Sequence, residues 1–514
     1  MRFKTAAILA ATVLYHGISA RYADDDRAIE GRGGRIYGGV DPATPDVRHF
    51  LGIPYAQPPL KDLRFAPPKP ALPFGEFSAT RMPPSCMQYL TDKPLPTTRD
   101  VPEFNPAGLN GTTGPISEDC LTLSVWTPRD MPDPKRKLPV LVFFYGGAFQ
   151  AGGTSVPYQI PAQWVQRNKN TIVVTFNHRG NIFGFPNAAG LPAQEQNVGL
   201  LDHRLALEWV SNNIHAFGGD NSTIGLFGHS SGSVAIAYYT YTYVQDPLAG
   251  SVILSSGNEY IDILSRDPGH GNFTFVASHV GCGNLAPAEE LACMRRADAH
   301  AIEDFIYRYS DAGSVPPVYF SPVIDERTVF GNYTARAQEG QIARLPTLIG
   351  TSRDEGVLFE PYNPAGVDAA LAEETTRASF YCPSLKAART RLDAGIPVFR
   401  YIYSGNFSNV SPRPWMGAYH GSELPMLFGT YGLYRGASTD LEGQTSSNMQ
   451  HTWREFTRTG GFGAGVLGWD PWDGTYREMV DIRRGVGMFA DFGATGFFEF
   501  VSGAGVKDMD SKCG

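Results

Sequence analysis

The chain has 514 residues, 42% of them apolar and 12% aromatic, with a formal net charge of −8. That composition implies a folded globular chain, and the negative balance argues against a nucleic-acid or anionic-membrane partner. The length admits several average domains or one large α/β unit.

Met1-Arg-Phe-Lys4 is basic, Thr5 to Leu14 is apolar but short for a bilayer, and Ile18-Ser-Ala20 ends on a small residue. Residues 1–20 therefore read as a secretory signal peptide, and no later run is long enough for a membrane span. The mature protein is expected outside the cell, with sequons at Asn110, Asn221, Asn272, Asn332, Asn406 and Asn409 as glycosylation sites. Six cysteines in an oxidising compartment can all pair. Spacing favours Cys86 with Cys120 and Cys282 with Cys293, which leaves Cys382 for Cys513. No Cys/His cluster has ligand spacing for zinc, so no metal is expected.

Beyond the signal, Ala23 to Arg35 is charged and Gly-rich and reads as a mobile arm. Phe50 to Pro59 reads as an irregular, proline-held segment, and Ser117 to Trp126 ends with strand-like alternation. Leu138 to Phe144 and Thr171 to Phe176 are continuous apolar runs, the pattern of parallel strands buried on both faces. Gly199 to Phe217 has helical periodicity. The strand pattern returns at Ile224 to Phe227, Gly250 to Gly257, Leu345 to Gly350 and Val398 to Tyr403, and Thr439 to Thr457 reads as a late helix. Strands alternating with helices predict an α/β, doubly wound and mostly parallel sheet with its site at the strands' carboxyl ends. With no internal repeat or low-complexity linker, residues 21–514 read as a single domain.

Gly228-His-Ser-Ser-Gly232 stands between a strand and a helix rich in small residues. A lone G-x-S-x-G is a weak signal, but in that setting it is a nucleophile elbow with Ser230 as the nucleophile. A serine hydroxyl needs a base to take its proton, and in elbow hydrolases the chain order is serine, acid, histidine. Beyond residue 300 only His420 and His451 qualify. His420 lies in the loop Ser411 to Glu423 after the last strand, whereas His451 falls within the late helix and reads as a surface residue. The acid must follow a strand, which leaves Asp354 or Glu355. His229, beside the nucleophile, is treated as the variable position of the elbow. The small residues of Tyr145-Gly-Gly-Ala-Phe149 suit an oxyanion hole, with Gly147, Ala148 and the N–H of Ser231 as donors.

Phe50-Leu-Gly-Ile-Pro-Tyr55, Glu118-Asp-Cys-Leu121, Asn197-Val-Gly-Leu-Leu-Asp202, Phe217-Gly-Gly-Asp220, Arg353-Asp-Glu-Gly356 and His420-Gly421 join the elbow in a wider pattern. Taken together they resemble the type-B carboxylesterase/lipase family, the cholinesterase-like α/β-hydrolases, nearest its secreted fungal members. The resemblance implies the α/β-hydrolase fold, Glu355 as the acid of a Ser230–Glu355–His420 triad, and disulfides 86–120, 282–293 and 382–513. It also matches Ser256 to a serine whose hydroxyl supports the acid. His229 and Ser231 depart from the family's usual Glu and Ala. Residues 87–119 lack the tryptophan with which cholinesterases hold a quaternary ammonium, so a choline ester is not the expected substrate. The reading is a cofactor-free serine carboxylic-ester hydrolase acting on a small-molecule ester. The alternatives are a triacylglycerol lipase, a feruloyl-type esterase, or a non-catalytic adhesion or ligand-binding member of the same fold. The loop closed by Cys86 and Cys120 holds five prolines, Pro94, Pro96, Pro102, Pro106 and Pro115, so a fixed rim is expected there rather than a lid.

Overall fold

The apolar runs become the central strands of one twisted sheet. The computed structural model describes residues 28–108, 112–130, 137–461, 471–474, 489–492, 499–500 and 508–513; the predicted signal peptide and the Asn110 sequon lie outside them. In chain order the sheet strands are β1 (Gly39–Asp41), β2 (Thr44–Pro54), β3 (Thr122–Pro128), β4 (Leu138–Phe144), β5 (Ile172–Phe176) and β6 (Gly219–His229). They continue with β7 (Ser251–Ser255), β8 (Thr347–Ser352), β9 (Val398–Tyr403), β10 (Phe489–Phe492) and β11 (Glu499–Phe500). The eleven strands lie in the order β11-β10-β9-β8-β7-β6-β4-β5-β3-β2-β1. From β10 across to β5 every pairing is parallel, while β1–β2, β2–β3, β3–β5 and β10–β11 are antiparallel.

Four helices concern the site: α1 (Val198–Asn213), α2 (Ser231–Thr242), α3 (Glu423–Phe428) and α4 (Asp440–Thr459). The last starts where the sequence predicts, because Thr439 and Glu442 form a capping box, and it stops at Gly460 with φ 60°. Both faces of β4 are covered: Val140, Val142 and Phe144 enter one core, Leu141 and Phe143 the other. Alternate side chains of a strand face opposite sides, so burial of every residue requires layers on both. Each such Val, Leu or Phe contributes about 1.5–3 kcal/mol relative to exposure.

After β4 the chain steps out to β5 on one side and returns to β6 on the other. Connections that leave a strand in opposite directions open a crevice at the carboxyl ends. The ends of β4 and β6 carry Tyr145 to Phe149 and Ser230, so the topology brings these two segments together.

Three expectations are corrected. The arm's described residues, from Ala28 on, are ordered, residues 23–27 lying outside them: Ala28–Gly31 pairs antiparallel with Gly34–Tyr37, which pairs parallel with Gly75–Ser78, and Ile29 and Ile36 are buried. Two isoleucines among charged and glycine residues supply that anchorage. Phe50 to Pro54, predicted irregular, belongs to β2, with its proline at the strand end. Asn409 is buried and its Nδ2 donates to the Tyr431 carbonyl, so the folded chain has no room for a glycan there; Asn221, Asn332 and Asn406 are exposed and Asn272 half-buried.

All three cysteine pairs are bonded as read from the sequence, with Cα separations of 5.0 Å for Cys86–Cys120, 5.7 Å for Cys282–Cys293 and 5.3 Å for Cys382–Cys513. Among the described residues no helix is long and apolar enough to cross a membrane.

Candidate active site

The turn between β6 and α2 is a single residue, Ser230, held at φ 55° and ψ −128°. A non-glycine residue in that region costs on the order of 1–3 kcal/mol and persists only where surrounding bonds impose it. Here the Ser230 N–H donates to the Ser255 carbonyl at 2.9 Å, and its carbonyl accepts the Val234 N–H at 3.0 Å. Only glycine fits at 232, since a Cβ would stand 2.1 Å from the Phe144 carbonyl oxygen.

The loop after β4 packs directly on this serine: a Cβ on Gly146 would lie 2.7 Å from Ser230 Cβ. Gly147, Ala148 and Phe149 follow with φ values of 128°, 55° and 59°. The Gly147 carbonyl accepts the N–H groups of Gln150 and Ala151. In a trans peptide the N–H opposes the carbonyl, so the Ala148 N–H is directed away from that turn. Ser231 Oγ accepts the Phe149 N–H at 3.2 Å, tying the loop to the start of α2.

His420 is buried and its Nδ1 lies 2.5 Å from Glu355 Oε2; Glu355 Oε1 accepts the Ser352 N–H at 2.7 Å. A carboxylate on Nδ1 holds the proton on that nitrogen and leaves the Nε2 lone pair free. Phe359 and Phe380 flank the His420 ring at centroid distances of 5.1 and 4.9 Å. The two neighbouring acids divide their work. Asp354 Oδ2 accepts the Ala418 N–H at 2.8 Å, and the Asp354 N–H donates to the Ala418 carbonyl at 3.0 Å. Asp354 thus holds the backbone of the loop, and Glu355 meets the histidine that the loop carries. His451 is exposed on α4 beside Arg454.

Ser256 does not meet the carboxylate. Its side chain is fully buried, its N–H donates to the Gly350 carbonyl at 2.8 Å, and its hydroxyl has no partner among the described residues. Ser255 closes β7 while Ser256 lies past it at φ 53°, and it is Ser255 that faces the acids: its hydroxyl donates to Glu423 Oε1 at 2.6 Å. Ser352 Oγ donates to Glu423 Oε2 at 3.3 Å, so Ser352 touches both glutamates. Sequence reasoning missed Glu423, which begins α3 three residues past His420.

His229, read from the sequence as the variable position of the elbow, lies beside His420. Its ring packs 4.6 Å from that of His420, and its Nε2 is 3.7 Å from Glu423 Oε1. The His420 loop folds back over the elbow, so the side chain before the nucleophile is covered by it. Burial, then the neighbouring His420, holds the His229 imidazole well below the ordinary histidine range. Burial and the charge of Glu355 push Glu423 up to about 7. Among the described residues no group of His, Cys, Asp and Glu side chains is arranged to hold a metal ion.

A serine on a strained elbow at the switch point of a doubly wound sheet, with the Gly146 to Phe149 loop packed on it and a carboxylate-held histidine on a loop folded against the elbow, is the architecture of the α/β-hydrolase fold. The chain belongs to the carboxylesterase family, whose model it matches over residues 25–376 and 364–489, and it is a carboxylic ester hydrolase. It is 41% identical over 458 residues to a chlorogenic acid esterase of Aspergillus niger, covering 87% of each chain. It is 38% identical over 453 residues to secreted lipase 5 of Gibberella zeae, covering 84% of each. It is 28% identical over 465 residues to an acetylcholinesterase of Bungarus fasciatus, covering 80% of this chain and 75% of that one.

Proposed function

We propose that residues 21–514 form one secreted, glycosylated catalytic domain that hydrolyses carboxylic esters through an acyl-enzyme on Ser230. His420 Nε2 takes the proton from Ser230 Oγ as the oxygen attacks the ester carbonyl carbon. The oxyanion is met by the N–H groups of Gly147, Ala148 and Ser231, each worth about 3–4 kcal/mol. His420 then gives its proton to the departing alcohol. Water, activated by the same imidazole, frees the acid and restores the serine. Glu355 holds the imidazole in register. The observation that carries this reading is the Glu355 Oε2 contact on His420 Nδ1 at 2.5 Å, on a loop folded against the elbow.

A fluorescent organophosphonate is expected to label the wild type and not Ser230→Ala. Labelling of both would remove Ser230 from the mechanism. Among substrates, a soluble ester of an aromatic acid is favoured over a triacylglycerol. Phe359 and Phe380 form an aromatic shelf beside His420, and the relative at 41% identity is named for an aromatic ester. A panel of p-nitrophenyl and cinnamoyl esters decides: a higher kcat/KM for cinnamoyl esters supports the aromatic class, and preference for long alkyl chains refutes it.

A further inference from the structure

The donor loop Gly147 to Phe149 has three consecutive residues at positive φ, two of them not glycine. Such a backbone persists only where its peptide groups are held from outside. The peptide joining Ala148 to Phe149 is held at both ends. Its N–H donates to Ser231 Oγ at 3.2 Å. Its carbonyl accepts the Tyr319 hydroxyl at 3.1 Å and the Gln150 Nε2 at 3.2 Å.

Tyr319 comes from a distant segment, 171 residues further along the chain. Its flanks are anchored: Val318, Phe320 and Ser321 are buried. Gln150 Nε2 also donates to the Phe320 carbonyl, and Asn272 Nδ2 donates to the Tyr319 carbonyl at 3.0 Å. Tyr319 as a whole is 43% exposed. An exposed aromatic between buried neighbours gains little from its area, so its hydroxyl contact is the remaining reason for its orientation. Desolvation pushes the phenol up to about 12, so it stays a donor throughout the neutral range.

We propose that Tyr319 is a positioning residue for the oxyanion hole: by holding the Ala148 carbonyl it keeps the adjoining 147–148 peptide, and hence the Ala148 N–H, aimed at the oxyanion. The proposal rests on the ester-hydrolase reading above. Tyr319 touches neither the nucleophile nor the base in this arrangement. Loss of its hydroxyl lets Ala148 relax toward negative φ, which turns its N–H away from the developing charge.

The test is Tyr319→Phe, which keeps the ring and removes the donor. With p-nitrophenyl acetate kcat is expected to fall about tenfold, a fraction of the loss from deleting a whole donor, and KM to stay within about twofold. An aryl trifluoromethyl ketone adds to the serine and puts an oxyanion in the hole; its Ki should rise by the same factor as kcat/KM falls. A structural role alone would lower the melting temperature without that match. Gln150→Leu removes the second donor to the same carbonyl and should move kcat and Ki together in the same direction, which keeps the test open if Tyr319→Phe folds poorly. Unchanged kcat and Ki in folded variants, or a change confined to KM, overturns the proposal. Retained activity in Ser230→Ala sinks the parent reading instead, and is read separately from the Tyr319 ratio.

Discussion

Glu423 accepts the hydroxyl of Ser255 at 2.6 Å, and this contact sets a second buried carboxyl beside Glu355, with Ser352 bonded to both. Burial disfavours the Glu423 anion and the neighbouring Glu355 charge adds to it, so Glu423 is pushed up to about 7 from its ordinary 4.5. A carboxyl whose folded pKa is raised lends stability that is complete below the unfolded pKa and is lost as pH rises through the folded one. Glu423→Gln keeps a neutral group there at every pH. In urea melts at pH 5, 6.5 and 8, the variant should gain on the wild type as pH rises, by at most about 3 kcal/mol. Parallel curves would show that Glu423 does not titrate in this range.

The buried histidines behind the donor loop act in the opposite direction. His178 stacks on Tyr145 at 4.5 Å and lies 4.3 Å from His203, and burial drives His178 down to about 3 and His203 well below its ordinary value. Both are neutral when folded and take up protons when unfolded. Their contribution is present above about 6.5 and is lost as pH falls below it. His203→Gln should therefore flatten the acid side of the stability curve by up to about 1.4 kcal/mol per pH unit between pH 6 and 4. An acid limb of unchanged slope refutes this.

Groups that act as a unit fail together. Ser230→Ala and His420→Ala should each lower kcat by about 10⁴-fold or more, and the double variant should be no worse than the poorer single one. A double variant far below both would break the assignment. His229→Gln should keep most of the activity, because His229 flanks His420 without touching Glu355; a collapse like that of His420→Ala would make it part of the machinery.

The parallel core was legible because β4, β5 and β9 are buried on both faces, which writes unbroken apolar runs into the sequence. The antiparallel edge was not, since β2 is only partly buried and ends on Pro54. At the site, residue type and chain order isolated the elbow, the histidine and a pair of acids. What they could not convey was side-chain direction. Asp354 and Glu355 are adjacent, as are Ser255 and Ser256, and in each pair only one side chain reaches the cluster. Glu423 carries no distinctive signal, because a glutamate in the first turn of a helix also looks like ordinary dipole compensation.

That distinction between the serines gives a paired test. Ser256→Ala removes a hydroxyl that has no partner among the described residues, so kcat should change by less than about twofold. Ser255→Ala leaves the Glu423 carboxyl without its 2.6 Å donor and should cost about 1–3 kcal/mol of stability. Equal effects in thermal melts and kinetics would mean that the two serines are interchangeable.

The rim closed by Cys86 and Cys120 decides between a soluble ester and an oil surface. A lid that opens at an interface needs an amphipathic helix whose apolar face the interface can stabilise. Among the described residues of 87–119 the α-helix is one turn of four residues, Pro96–Arg99, followed by a 3₁₀ turn at Pro102–Phe104. The segment is also pinned. Asp100 pairs with Arg413 at 2.8 Å, Glu103 pairs with Arg435, and Thr91 donates to Asp311 at 2.7 Å. Phe104 packs edge-on against Tyr158 at 4.8 Å and Tyr419 at 5.9 Å, and Tyr419 is the residue before His420. Opening such a rim would break ion pairs and expose an aromatic contact continuous with the His420 loop, so it is expected to stay fixed. The rate against a short-chain ester should then saturate smoothly through its solubility limit, and a sharp rise once emulsion forms would show that the rim moves.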